Sequence, residues 1–203
     1  RGPKGTEVRL TVRKLDGTNQ VIPIVRDVVE LEATFAKSAV IGPRDGDDRK
    51  MGYIRLPKFY VDFYNENNRN CAEDVRAEIE KLKKDSIEGL ILDLRNNGGG
   101  SLDAVVKIVG LFIPKGPVVQ VKTADGRKKV LRDSDPDVAY DGPLVVMVNE
   151  FSASASEICA AALQDYGRAV IVGSETTFGK GTVQNIYNLD RATMNARVKP
   201  LGA

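Results

Sequence analysis

Apolar and polar residues alternate over residues 7–13, with Val8, Leu10 and Val12 on one side, and apolar residues return over 21–25 after Asp16-Gly17. Two such runs around an Asp-Gly turn predict a β-hairpin. A two-stranded hairpin is marginal in water by itself, so it is expected to close a module whose first part precedes this chain. From residue 51 the pattern changes. Residues 52–56 read as a strand, and Val75, Ile79 and Leu82 recur at helical spacing over 72–84. Residues 89–94 form a continuous apolar run of the kind buried on both faces of a sheet. A second helix is predicted over 102–112 from Val105, Val106, Ile108, Val109 and Phe112, with strands at 118–121, 129–131 and 144–148. A third helical pattern, Ile158, Ala161, Ala162 and Asp165, is followed by a β-rich run at 169–172. This succession predicts an α/β layered core. Residues 37–50, rich in Gly, Pro, Asp and basic side chains, are expected to be a solvated loop.

Composition narrows the chemistry. The chain has 203 residues and no histidine, which removes Ser-His-Asp and Cys-His catalysis and His-containing zinc sites together. Cys71 and Cys159 lack CxxC spacing and read as free, partly buried thiols, not a disulfide framework or a metal site. A net charge of +2 with 29% charged residues describes a mixed surface, so neither nucleic acid nor a membrane is an expected partner. The sequence holds no apolar run long enough to span a bilayer and no signal-like start.

Three stretches carry candidate chemistry. Asn96-Asn97-Gly98-Gly99-Gly100 lies between a buried strand and a helix, where free N–H groups point at negative charge; it is a donor loop for an oxyanion or phosphate, or a plain tight turn. Phe151-Ser152-Ala153-Ser154-Ala155-Ser156-Glu157 follows the strand at 144–148. It is an N-cap, or it exposes a side chain at the carboxyl end of a sheet strand, where open α/β folds bind ligands. Gly179-Lys180-Gly181-Thr182 fails the Walker pattern, because Gly173 is one residue too far away and Gly181 follows the lysine. Lys180 is then a surface charge or, in a partly desolvated glycine loop, a general base.

Together these stretches resemble the tail-specific, or C-terminal processing, serine proteases. The resemblance rests on residues 151–157, Gln164-Asp165-Tyr166-Gly167, residues 177–184, Asp93-Leu94-Arg95-Asn96-Asn97-Gly98-Gly99-Gly100 and Gly110-Leu111-Phe112-Ile113-Pro114. It implies a ClpP/crotonase-like layered core over 51–203, a linker over 31–50, and a PDZ remnant over 1–30 whose closing hairpin is the one described above. By the same resemblance Ser154 is the nucleophile, Lys180 its general base and Gln184 the residue that orients the lysine. The N–H of Ala155, with that of Gly99 or Gly100, would hold the oxyanion. Glu157, Asp165 and Thr177 fall at supporting positions. No metal or cofactor is implied. The implied substrates are proteins with apolar, unstructured C-termini, bound as an added strand by the PDZ domain, in the bacterial periplasm or cell envelope. The chain stops at Leu201-Gly202-Ala203, before the strand expected to follow, and its loop over 173–177 is one residue longer than usual. Two other classes stay open: a non-catalytic relative that binds peptides or hydrophobic ligands, and a crotonase-like acyl-transfer enzyme.

Overall fold

The computed structural model describes residues 2–27, 34–42, 48–61 and 69–184. The chain divides into two compact units, Arg1–Thr34 and Phe35–Ala203. In the first, β1 (Glu7–Arg13) and β2 (Asn19–Val25) pair antiparallel, with Glu7 opposite Val25 and Arg13 opposite Asn19. Asp16 Oδ1 accepts bonds from the Thr18 N–H and hydroxyl, closing the turn that Asp-Gly predicts. Leu10, Ile22 and Ile24 stay 40–48% exposed, so the hairpin has no second apolar layer among the unit's described residues.

The second unit runs β3 (Lys37–Ile41), β4 (Met51–Arg55), α1 (Cys71–Lys84), β5 (Gly89–Asp93), α2 (Leu102–Gly110), β6 (Gly116–Lys122), β7 (Lys128–Asp133), β8 (Leu144–Val148), α3 (Ala155–Asp165) and β9 (Val170–Gly173). Five strands form one sheet in the order β3-β4-β5-β8-β9. β4, β5, β8 and β9 are parallel, and β3 is an antiparallel edge. β6 and β7 make a separate antiparallel pair. The strand β3 corrects the loop expected over 37–50. Its Val40 and Ile41 remain exposed, so no buried alternation marks it, and pairing with β4 decides its conformation. The rest of that expected loop, residues 43–47, and the linker residues 31–33 lie outside the described residues, as does the end of the chain after Gln184.

The core forms where the sequence pattern demands. Leu90 and Leu92 of β5 are fully buried, as are Val75 and Ile79 of α1 and Val105, Ile108 and Val109 of α2. α1 begins because Asn70, in extended backbone, accepts the N–H groups of Ala72 and Glu73, and three lysines in its last turn suit the helix dipole. α2 packs between α1 and α3. Ile79→Ala leaves a cavity in this layer and is expected to cost about 2–5 kcal/mol, read from the urea midpoint. Cys71 and Cys159 are free and buried, and burial pushes both thiols up to about 12, so neither serves as a nucleophile at neutral pH. No helix among the described residues is long and apolar enough to cross a membrane.

Sheet order positions the site. β5 and β8 are parallel neighbours with Asp93 beside Met147, so the segments leaving their carboxyl ends emerge side by side. Those segments are the glycine loop and the serine turn.

Candidate active site

The glycine loop is fastened at its root. Asp93, 3% exposed, accepts the Tyr53 hydroxyl at 2.6 Å and the Arg95 guanidinium at 2.7 and 3.0 Å. Burial pushes its pKa up, but the bonds from Arg95 and Tyr53 outweigh that and hold the carboxyl below its usual range. Asn97, fully buried, then joins three segments. Its amide donates to the Leu56 carbonyl at 2.7 Å and its side-chain oxygen accepts from Gly99 N at 2.9 Å. Its own carbonyl accepts Ala153 N and the Ser156 hydroxyl.

Gly99 and Gly100 are required for contact as well as for conformation. At Gly99 (φ +98°) an added Cβ would lie 2.8 Å from Ser154 Cβ, so the loop lies directly against the serine turn. At Gly100 (φ +148°) it would lie 2.1 Å from the Phe59 carbonyl oxygen. Gly100→Ala is therefore expected to destabilise the protein by at least about 1–3 kcal/mol, seen as a lowered thermal midpoint.

The serine turn is stitched to the same loop from the other side. Ser152, fully buried, donates its hydroxyl to the Leu94 carbonyl at 2.8 Å and accepts Asn149 N at 2.9 Å. Asn96 and Asn149 exchange bonds, Asn96 N to Asn149 Oδ1 and Asn149 Nδ2 to Asn96 Oδ1, both 2.9 Å. On this base Ser154 adopts φ 54°, ψ −111°, a conformation that costs a non-glycine residue about 1–3 kcal/mol and persists only when its surroundings impose it. A strained strand-to-helix turn of this kind lifts a serine hydroxyl out of the backbone where substrate can reach it. Ser154 is the residue before α3, and the Ala155 N–H opens that helix without a hydrogen-bond partner among the described residues.

Glu157 ties the lysine segment to this turn. One oxygen accepts the Thr177 hydroxyl at 2.7 Å and Gly179 N at 2.6 Å; the other accepts Ser154 N at 2.7 Å and Lys180 N at 2.9 Å. Phe178 N adds a bond to the Ser152 carbonyl at 3.0 Å. Burial raises the Glu157 pKa, and the bonds from Thr177, Gly179, Ser154 and Lys180 together pull it further down, to below its usual value.

The result is a pocket of about 600 Å³ lined by Ser154, Lys180, Gln184 and Gly98, Gly99 and Gly100, with Pro57, Lys58, Leu102, Thr182 and Val183. Ser154 is half-buried and Lys180 exposed, so the desolvation expected around the lysine is absent among the described residues. No hydrogen bond joins the two side chains there. Gly99 N is occupied by Asn97, which narrows the expected oxyanion pair: among described groups only Gly100 N of the two glycines has no partner. Thr177 and Glu157 hold the loop from behind. Asp165 lies at the far end of α3, outside the pocket lining. Sequence reasoning gave no role to Asn97, Asn149, Ser152 or Ser156, the polar residues that fix the two loops. Their only signal was polar side chains crowded between small residues.

Comparison with known proteins identifies the family. The model of peptidase family S41 matches residues 50–198. The chain is 43% identical over 201 residues to a tail-specific protease of Haemophilus influenzae, an overlap of 96% of this chain and 27% of that protein. It is 38% identical over 194 residues to a carboxyl-terminal-processing protease of Picosynechococcus sp., 93% of this chain and 42% of that one. Both relatives are thus more than twice the length that the chain spans. Among solved structures, the photosystem II D1 C-terminal processing protease superposes with a TM-score of 0.63 at 29% identity, covering 91% of this chain and 47% of that one. Since the family match takes in β4 to β9, both loops and the lysine segment, the chain belongs to peptidase family S41.

Proposed function

We propose that this chain is the catalytic part of a serine endopeptidase that works through a Ser154/Lys180 dyad and an acyl-enzyme. The observation that carries the reading is the shared pocket, which the strained Ser154, Lys180 and Gly100 all line, with the unpartnered Ala155 N–H next in the chain to the serine. In this reading neutral Lys180 takes the Ser154 proton as Oγ attacks the scissile carbonyl carbon. The oxyanion that forms accepts from Ala155 N and Gly100 N. The C–N bond then breaks as Lys180 returns the proton to the leaving amine, and the same lysine activates the water that hydrolyses the ester. Gln184 orients the lysine. Within this chain Lys180 is the base that the pocket offers Ser154.

The substrates of the whole protein, in this proposal, are proteins with apolar, unstructured C-terminal tails. Residues 1–30 are read as the closing part of a PDZ domain, a role that suits a hairpin with unlayered apolar residues, and the core as ClpP/crotonase-like in its layering. The setting by resemblance is the bacterial cell envelope. The test is cleavage of an unfolded protein with an apolar C-terminus, read by mass spectrometry, using this chain and the full gene product. Internal cuts abolished by Ser154→Ala support the reading; an inactive full gene product on a broad panel of tails opposes it.

A further inference from the structure

We infer that Lys58 is a specificity-determining residue that recognises a substrate carboxylate beside the scissile bond. This rests on the proteolytic reading above and adds the chemistry of what the pocket selects. Among the described residues that line the pocket two carry charge, Lys58 and Lys180, and both are basic. Lys180 is committed to Ser154 in the proposed chemistry, which leaves Lys58, exposed at the pocket's edge, as the second cation open to substrate.

Lys58 has no hydrogen bond or ion pair with any described residue. Two carboxylates behind the site are already engaged. Glu157 accepts four hydrogen bonds within the loop behind the pocket, and Asp93 is closed by Arg95 and Tyr53. A cation lining a pocket without an internal counter-charge favours a ligand of opposite charge over a neutral one.

The backbone beneath Lys58 is fixed in a way that suits recognition. Pro57 precedes it, and Phe59 after it is 1% exposed. Phe59 N donates to the Gly99 carbonyl at 3.0 Å, and the Phe59 carbonyl accepts Ser101 N at 2.8 Å. The root of Lys58 is thereby tied to the same glycine loop that lies against Ser154, so its backbone position relative to the serine turn is set by the scaffold. Pro57, Leu102 and Val183 supply apolar surface in the same pocket. A peptide with an apolar side chain and a carboxylate close to it satisfies both features. The carboxylate comes either from the peptide's own C-terminus or from an Asp or Glu side chain.

Four labelled apolar peptides separate these sources: one with a free C-terminal carboxylate, its amide, and two amidated forms with Glu or Gln at one internal position. Binding is measured by fluorescence anisotropy to Ser154→Ala, which prevents turnover. One acid is expected to bind about 5-fold more tightly than its neutral partner, less so at high salt. Adding Lys58→Gln removes that preference, Lys58→Glu reverses it, and Lys58→Arg keeps it. No acid preference, or one unchanged by Lys58→Gln, overturns the inference. Turnover of the same peptides by the wild-type protein is scored separately. Cleavage with a flat acid-to-neutral ratio sinks the role of Lys58 and leaves proteolysis standing. A Lys58-dependent binding preference without any cleavage sinks proteolysis and leaves the carboxylate site.

Discussion

Ser154→Ala and Lys180→Ala are each expected to lower the rate of peptide cleavage by at least about 10³–10⁴-fold, and the double variant to be no slower than either alone. A nucleophile and its base act as one unit, so removing one leaves the other without a task and the losses do not add. Neither change should unfold the protein. Lys180 is exposed, and the turn at Ser154 is held by backbone bonds from Ser154 N to Glu157 and from Ala153 N to Asn97 that alanine retains. Lys180→Arg is the sharper variant. It keeps charge and length, but a guanidinium does not release its proton in a protein, so it cannot serve as the base. Activity in Lys180→Arg would contradict the dyad, and circular dichroism with a urea midpoint close to wild type guards against misfolding as the cause of any loss.

The second large effect lies at a residue that does no chemistry. Glu157→Ala removes the acceptor for four donors at once, three of them in the segment that carries Lys180. Bonds to a charged acceptor are stronger than neutral ones, and partial exposure reduces their worth, so a stability loss of about 2–3 kcal/mol is expected. The loss in kcat should be larger, about 100-fold, because the segment that carries Lys180 is no longer tied to the serine turn. Glu157→Gln keeps the shape and drops the charge, and should fall between wild type and Glu157→Ala. The pH dependence follows from the direction of the Glu157 shift. Its folded pKa is depressed below 4.5, so the docking it provides is fully present above that pH and is lost as the pH falls through the lower, folded value. Asp93 is shifted in the same direction, so Glu157→Gln should remove part of the acid-induced loss of stability, not all of it. An acid unfolding curve unaltered in Glu157→Gln would show that the carboxylate is not the clamp.

Much of the architecture was legible in the sequence because its elements are long and strongly patterned. Val75, Ile79 and Leu82 recur on one face of α1 and are buried there, and the unbroken run at 89–94 gave a central strand whose Leu90 and Leu92 are fully buried, while Ile91 on its other face is half-buried. The strand β3 was not legible. Lys37-Ser38-Ala39-Val40-Ile41 has no buried alternation, and only its register against β4, with Val40 opposite Gly52, makes it a strand. At the site, the three stretches that were singled out do converge, because parallel pairing of β5 with β8 brings their carboxyl ends together. The framework beneath them was hidden. The burial of Asn97, Ser152 and Ser156 depends on contacts between segments more than fifty residues apart, such as Ser156 to the Asn97 carbonyl, and no local pattern encodes such a contact. That Gly99 N is already occupied was equally hidden, since it turns on where the Asn97 side chain points. Lys58 had no motif at all and emerges only because Pro57 and Phe59 fix its place in the pocket.

The most direct test of the dyad is the covalent intermediate itself. An activated ester of an apolar peptide is mixed with the protein, quenched in acid after a short reaction, and digested for mass spectrometry. The account predicts an acyl adduct on the fragment that contains Ser154, present in wild type and absent in both Ser154→Ala and Lys180→Ala. An adduct on another residue, or one on Ser154 that forms equally fast without Lys180, would contradict it.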